Sequence, residues 1–145
     1  ETRLIILGEG ELMSELEALR TSLHLTEVLD LPGFDANPYA YFKYAALFVL
    51  SSNWEGLPGV LIQALASQVK VVSTDCPSGP MEILQDSKFG LLVPCNDQAA
   101  MVNAMQQAIY GTYVDYTLED FEQHCQQFNK QTVQQQYLSL MEQTQ

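Results

Sequence analysis

Residues 51–63 read SSNWEGLPGVLIQ and join a strand-like segment to a helix-like one. The preceding residues, Ala46–Leu50, form a continuous apolar run of the kind found in strands that helices cover on both faces. After the loop, apolar residues recur at helical spacing from Val60 to Leu65, and Pro58 suits the first turn of a helix. The stretch therefore predicts a strand, a loop and a helix, which is the repeating unit of a parallel α/β sheet.

The loop of this unit carries an acid and two glycines where open α/β sheets bind their ligands. Glu55 follows the predicted carboxyl end of the strand. Gly56 and Gly59 would let a ligand approach free backbone N–H groups at the helix N-terminus, an arrangement that favours phosphate. We predict a polyol-phosphate site here; an ordinary strand-to-helix loop would show the same local pattern.

Strand-like and helix-like segments alternate along the rest of the chain. Strands are predicted at 3–7, 27–31, 46–50, 70–74 and 89–93, and helices at 11–23, at 37–44, after Pro58, from Pro80 and after a capping Asp97. The leucines of the first helix predict one apolar stripe against the sheet, with Arg20 on a solvated face. This βαβα order predicts an α/β fold with a parallel sheet flanked by helices.

Several motifs follow one another in an order that resembles the retaining glycosyltransferases of the GT-B architecture, glycosyltransferase family 4 or glycosyl transferases group 1. These motifs are Glu-Gly-x-Pro-x-Val at 55–60, Gly-Pro-x-Glu at 79–82, the opening strand with Gly8-Glu9-Gly10, the Gly33-Phe34 and Asn37-Pro38-Tyr39 pieces, and the Gly90–Pro94 strand. The resemblance covers essentially the whole chain. It implies the Rossmann-like, C-terminal donor-binding domain of a GT-B enzyme.

The resemblance also implies an activity and a set of site residues. The full enzyme would move a hexose-type sugar from a nucleoside diphosphate sugar to an acceptor hydroxyl with retention of configuration, as in polysaccharide biosynthesis, and without a metal or other cofactor. Glu55 is the expected catalytic residue, because it would hold sugar hydroxyls. The expected donor-binding residues are Gly8, Gly10, Gly56, Leu57, Pro58, Gly59, Val60 and Gln63, with Phe34, Asn37 and Glu82 as further candidates.

The chain departs from the family pattern at Gln63, where a second glutamate normally stands eight residues after Glu55. The resemblance implies that this second acid binds the ribose diol. A carboxylate accepts from two hydroxyls at once, whereas an amide offers one acceptor oxygen and an NH₂ donor. We therefore expect weaker or altered nucleotide binding.

The charge of the chain argues against nucleic acid and anionic membranes as partners. Its 18 acidic and 6 basic residues give a net charge of −12, and no Lys or Arg stands beside the Glu55 loop in sequence. The resemblance implies that the phosphate-binding Arg and Lys precede Leu4. We therefore expect residues 1–145 to be a donor domain truncated on its N-terminal side, with residues 112–145 as a helical tail and a separate acceptor domain in the parent chain.

The expected truncation has a structural consequence. In the family's sheet the absent strand lies between the strands at 3–7 and 46–50, so both would keep an open edge. Either these strands pair directly, or a homodimer forms through the edges, or the fold is marginally stable.

The cysteines and histidines are predicted to be structural. Cys76, Cys95 and Cys125 are widely spaced without a CxxC pair, which indicates reduced thiols in a cytoplasmic protein rather than a metal site. His24 and His124 have no acidic or nucleophilic neighbours in sequence. The sequence contains no signal peptide or bilayer-spanning run, so any peripheral contact with the inner face of the membrane would come from elsewhere in the enzyme.

Alternative readings remain for two motifs and for the whole chain. Gly8-Glu9-Gly10 resembles a dinucleotide fingerprint, but Met13 replaces its third glycine. Glu82 could reach back to the N–H groups of its own helix instead of contacting sugar. The chain as a whole could be a non-catalytic nucleotide-sugar binding module, or part of a sugar-nucleotide epimerase, which would interconvert donors without an acceptor.

Overall fold

The computed structural model describes residues 2–114 and 116–143. These residues form two compact units, one ending at Pro38 and one beginning at Tyr39. Parallel strands alternate with helices in both units, which confirms the predicted α/β class. The predicted 1–145 domain and its 112–145 tail include four residues that lie outside the described ones: Glu1, Asp115, Thr144 and Gln145.

The first unit is a strand, a helix and a second strand. Strand β1 (Leu4–Leu7) pairs in parallel with β2 (Leu29–Gly33), and helix α1 (Met13–Ser22) connects them. An ion pair between Arg3 and Asp30, 3.0 Å long, joins the two strands at the surface.

The predicted burial of the α1 stripe is wrong. Helix α1 has no buried residue. The four leucines of the stripe are 40–61% exposed: Leu12, Leu16, Leu19 and Leu23. A two-stranded sheet is too narrow to cover a helix face, and the side chain of Leu4 on β1 is itself 47% exposed. The solvated role of Arg20 is also wrong, because its guanidinium is half-buried and donates a 3.5 Å hydrogen bond to the Leu29 carbonyl.

The second unit is built on a three-stranded parallel sheet in the order β3-β4-β5. The strands are β3 (Phe48–Leu50), β4 (Val71–Thr74) and β5 (Leu91–Val93). The helices are α2 (Tyr39–Phe42), α3 (Gly59–Ala66), α4 (Pro80–Leu84), α5 (Gln98–Tyr110), α6 (Leu118–Gln126) and α7 (Lys130–Gln143). The predicted strands and helices are all present, with shifted ends, and Asp97 caps α5 by accepting from the Ala100 N–H at 2.8 Å, as predicted.

The core of this unit lies on both faces of β4. All four residues of β4 are buried. Val71 packs in one apolar cluster with residues of α3 and α4, and Val72 packs in another with Ala104 and Ala108 of α5. Successive side chains of a strand point to opposite faces, so β4 fixes the sheet between two helical layers and holds its carboxyl end rigidly in place.

Two further sequence predictions concern strand pairing and His124. Strand β1 pairs with β2, and β3 pairs with β4; the expected direct pairing of β1 with β3 and the expected homodimer both stay predictions. The structural reading of His124 is confirmed, since the ring is buried, stacks on Phe89 at 4.2 Å and bonds to the Ile83 carbonyl through Nε2.

Candidate functional site

Glu55 is held at the carboxyl edge of the three-stranded sheet by two hydrogen bonds. Its carboxylate oxygen Oε1 accepts from the hydroxyl of Ser52 at 2.7 Å. Its backbone N–H donates to the carbonyl of Pro77, in the loop after β4, at 3.5 Å. Both Glu55 and Ser52 are half-buried. The acid therefore has a fixed orientation and still keeps lone pairs for a ligand.

Ser52 is in turn fixed by the ends of the two neighbouring strands. Its carbonyl accepts a hydrogen bond from the hydroxyl of Thr74, the last residue of β4, and one from the thiol of Cys95 at 3.8 Å. Thr74 is buried and Cys95 follows the end of β5. The loop that carries Glu55 is thus tied to all three strands of the sheet.

Gly79 lies directly against the Glu55 loop. A Cβ atom at this position would stand 2.4 Å from Cδ of Pro58 and 2.9 Å from the carbonyl oxygen of Gly56. The backbone of Gly79 has φ +93° and ψ −62°, a region that side-chain-bearing residues rarely adopt. The Glu-Gly-x-Pro loop and the Gly-Pro-x-Glu turn, which the sequence predicts separately, are therefore one packed structure.

Helix α3 presents its N-terminus beside this loop. Pro58 is the cap of the helix rather than its first residue, and its carbonyl accepts from the N–H groups of Leu61 and Ile62 at 3.0 and 3.4 Å. The N–H groups of Gly59 and Val60 precede these and have no acceptor within the helix. Unpaired N–H groups at a helix start favour an anion, and phosphate binding here stays a prediction.

An open cavity of about 690 Å³ lies between the loop after β4 and helix α4. Three carboxylates are among its lining residues, those of Asp75, Glu82 and Asp86. The predicted capping role of Glu82 is wrong, because α4 has no side-chain cap hydrogen bond among the described residues and Glu82 is exposed. Pro80 opens α4 and has no N–H to offer, which removes one of the donors such a cap would use.

Cys76 lies close to the candidate acid. Burial raises the pKa of the Cys76 thiol, and Cys95 and Glu55 raise this pKa further through their charge, while a hydrogen bond with Thr74 opposes them. A raised pKa keeps the thiol neutral at physiological pH, so Cys76 acts as a small apolar group under the cavity.

The other predicted donor residues of the second unit differ in exposure. Gln63 is half-buried on α3 and Leu57 is 63% exposed.

The predicted donor residues of the first unit include two glycines with backbone hydrogen bonds and one exposed aromatic residue. Gly8 has φ +132° and donates from its N–H to the Gly33 carbonyl at 2.9 Å, and the Gly10 carbonyl accepts from Met13 at 3.2 Å. Phe34 is 68% exposed.

The Asn37 N–H is bound locally by the Asp35 carboxylate at 2.8 Å. The Asn37 side chain is exposed, and its contact with a donor stays a prediction.

Two lysines of the second unit, Lys70 and Lys88, are engaged by groups outside the Glu55 loop. Lys70 donates to the Ala108 carbonyl at 2.6 Å, and Lys88 lies 3.7 Å from Asp120 and over the ring of Phe89. The bond from Thr117 and the charge of Lys88 lower the pKa of Asp120. None of the ion pairs found in the described residues involves residues 51–60.

Three residues of this site are not predicted from the sequence: Ser52, Thr74 and Cys95. A signal for Ser52 exists in the Ser-x-x-Glu spacing, which is also the spacing of a helix capping box. Thr74 and Cys95 could have been found from their positions at the ends of adjacent parallel strands, because such ends share one edge of the sheet.

Residues 2–114 and 116–143 contain neither a helix long and apolar enough to cross a membrane nor a group of three His, Cys, Asp or Glu side chains suited to a metal.

Known proteins match both the sequence and the fold. The family model for glycosyl transferases group 1 matches residues 1–131. A Campylobacter jejuni enzyme, named N-acetylgalactosamine-N,N'-diacetylbacillosaminyl-diphospho-undecaprenol 4-alpha-N-acetylgalactosaminyltransferase, is 42% identical over 106 residues, which are 73% of this chain and 29% of the enzyme.

Two solved structures show the same fold. The apo lipopolysaccharide outer core galactosyltransferase WaaB superposes with a TM-score of 0.84 at 20% identity, over 99% of this chain and 41% of WaaB. Anabaena HepE, solved in complex with UDP, gives 0.77 at 19% identity over 97% of this chain and 41% of HepE. The chain therefore spans less than half the length of these proteins.

Proposed function

Since this chain belongs to the glycosyl transferases group 1 family of GT-B glycosyltransferases, we propose that it is the donor-binding half of a retaining enzyme. The enzyme would transfer a hexose-type sugar from a nucleoside diphosphate sugar to an acceptor hydroxyl. The observation that carries this proposal is the fixed carboxylate of Glu55, which accepts from Ser52 at 2.7 Å, while the Glu55 N–H bonds to Pro77 in the lining of an open, acid-lined cavity. The acceptor half and the phosphate-binding cations would come from outside residues 1–145.

The chemistry of the site supports recognition of a sugar. A carboxylate accepts hydrogen bonds from two hydroxyls, and the cavity beside Glu55 adds the acids Asp75 and Glu82. An acid-lined cavity repels phosphate but suits a polyol. The diphosphate would instead meet the N–H groups of Gly59 and Val60, which add hydrogen bonds that strengthen as charge builds on the leaving group.

We propose a front-face retaining reaction without a protein nucleophile. The bond between the anomeric carbon and the phosphate oxygen breaks, the acceptor oxygen attacks from the same face, and the acceptor proton passes to the leaving phosphate. Glu55 would hold the sugar ring during this step, and no metal would be required. Transfer that a chelator abolishes would contradict the metal-free part.

The comparisons suggest a donor and an acceptor for the first assay. HepE was solved with UDP, and the C. jejuni relative is named for transferring N-acetylgalactosamine to a diphospho-undecaprenol-linked sugar. We therefore propose a UDP-linked hexose or N-acetylhexosamine as donor and a lipid-linked saccharide as acceptor, used at the cytoplasmic face of the membrane.

The first measurement is of donor binding, by calorimetric titration of the protein with UDP, GDP, ADP and their hexose conjugates.

Substitution of Glu55 by glutamine tests the function directly. In the full-length protein, Glu55→Gln is expected to lower transfer by about 100-fold or more, because the amide cannot replace the charge-assisted hydroxyl bonds. The affinity for free UDP should change by less than about threefold, since Glu55 would contact the sugar. Glu122→Gln, an exposed change of equal charge on α6, is the matched control. Equal losses of transfer and UDP affinity would refute the assignment of Glu55 to the sugar.

A non-catalytic binding module is the second candidate, and Gln63 is the residue that favours it. The lost ribose carboxylate would be tolerated most easily where turnover is not required. Full-length protein that binds a donor but shows neither transfer nor donor hydrolysis would establish this alternative. Interconversion of donors without an acceptor would instead indicate an epimerase.

A further inference from the structure

The hydroxyl of Ser52 stands out because it bonds to the one side chain on which the proposed function depends. We propose that Ser52 is a positioning residue that orients the Glu55 carboxylate for the sugar; this inference rests on the proposed function. The Ser52 hydroxyl has one proton, and in the 2.7 Å contact the hydroxyl donates it in a hydrogen bond to Oε1 of Glu55. Oε2 of Glu55 is then left to accept from sugar hydroxyls. The bond is charge-assisted, which makes it short and directional.

The position of Ser52 is set by the sheet and not by its own loop. Thr74 and Cys95 both donate to the Ser52 carbonyl, from the ends of β4 and β5. Thr74 is only 4% exposed, so its hydroxyl has little freedom to move. The two strand ends thus fix the backbone of Ser52, and the Ser52 hydroxyl in turn fixes Oε1 of Glu55.

Backbone contacts alone would not orient this acid. The Glu55 N–H is bonded to the Pro77 carbonyl at 3.5 Å, which places the Cα atom of Glu55. Three side-chain torsions still separate that Cα atom from the carboxylate, and Glu55 is half-exposed, so water competes for it. The Ser52 hydroxyl removes this freedom. Misplacing a substrate-binding group by about 1 Å can cost about 100-fold in rate.

The test compares Ser52→Ala and Ser52→Thr in the full-length protein, with UDP-N-acetylgalactosamine as donor probe and UDP as product probe. Ser52→Ala is expected to lower kcat by about 10- to 100-fold and to change the affinity for UDP by less than about twofold. Ser52→Thr keeps the hydroxyl and should recover most of the activity. Ser51→Ala removes an exposed neighbouring hydroxyl and is the matched control, with unchanged kinetics expected.

A double substitution separates positioning from stability. If Ser52 acts through Glu55, adding Ser52→Ala to Glu55→Gln should lower kcat by less than about twofold further. If the two substitutions lower kcat independently, so that their effects multiply, the proposal is wrong. A Ser52→Thr protein with a kcat as low as that of Ser52→Ala would also overturn it.

Failure of the proposed function would give a different result. Unsubstituted full-length protein that transfers no sugar from any nucleotide donor would refute that function. A crystal structure of Ser52→Ala then decides the inference: a displaced Glu55 carboxylate supports it, and an unmoved one refutes it.

Discussion

Replacing Gly79 by alanine tests the packing of the two site motifs against each other. The new Cβ would lie 2.4 Å from Cδ of Pro58 and 2.9 Å from the Gly56 carbonyl oxygen, and both are parts of a fixed ring or backbone. Holding a side-chain-bearing residue at φ +93° costs about 1–3 kcal/mol. Overpacking costs about 1–3 kcal/mol more. One movement of the loop would relieve both the backbone strain and the overlap, so the two costs do not add in full. We therefore expect the free energy of unfolding to fall by about 3 kcal/mol.

Urea unfolding followed by circular dichroism measures this loss. With a urea dependence of about 2 kcal/mol per M, the unfolding midpoint of Gly79→Ala should fall by about 1.5 M. Gly59→Ala is the control, because its Cβ would meet no atom within 4 Å and its φ is not positive. We expect this control to change the free energy by less than about 0.5 kcal/mol. Equal midpoints for the two variants would show that Gly79 does not pack on the loop as described.

Two further predictions concern pH and buried hydrogen bonds. Burial lowers the pKa of His124 below 6.5, so the folded protein binds fewer protons there than the unfolded chain; the stability from His124 is full above this value and is lost as the pH falls below it. Melting temperatures measured from about pH 7 to 5 should fall, and His124→Gln should lack this component; an identical pH profile would contradict the assignment. Burial likewise raises the pKa of Tyr113 to about 12, and its hydroxyl bonds to both the N–H and the C=O of Val71 at 2.6 and 2.9 Å. Tyr113→Phe should cost about 1–3 kcal/mol in urea unfolding and remove the loss of stability between pH 10 and about 12; unchanged stability would refute the role of this hydroxyl.

The elements of this fold were predictable where local pattern decides them. The apolar run that became β3 is continuous because this strand lies in a sheet with helices packed on it, and Asp97 is a cap because its side chain reaches an N–H three residues on. The α1 leucines show where this logic stops. Their spacing predicts a buried stripe correctly only if a partner surface exists, and the width of the sheet is not a local property.

The site was predictable in part for the same reason. Glu55 and Gly79 could be found because each sits in its own short motif. The contact of Gly79 with Gly56 and Pro58 could not, because it depends on how far the loop after β4 folds back over Pro58. The Thr74 and Cys95 bonds to Ser52 join strands that are distant in sequence; the strand ends indicate that these residues lie near one edge of the sheet, but the bonds themselves depend on the register.

The charge distribution explains which part of a nucleotide sugar this unit would bind by itself. Glu55 and the acid-lined cavity accept from hydroxyls, whereas Lys70 and Lys88 are engaged elsewhere. A phosphate would then depend on the partial positive charge of the α3 N-terminus, which is equivalent to about half a charge. A carboxylate at position 63, on the same helix, would oppose that charge, so an amide there would weaken the expected bond to ribose and would also avoid a repulsion of the diphosphate. Gln63 is therefore compatible with the proposed donor binding, in which the sugar contacts of Glu55 would carry the larger share.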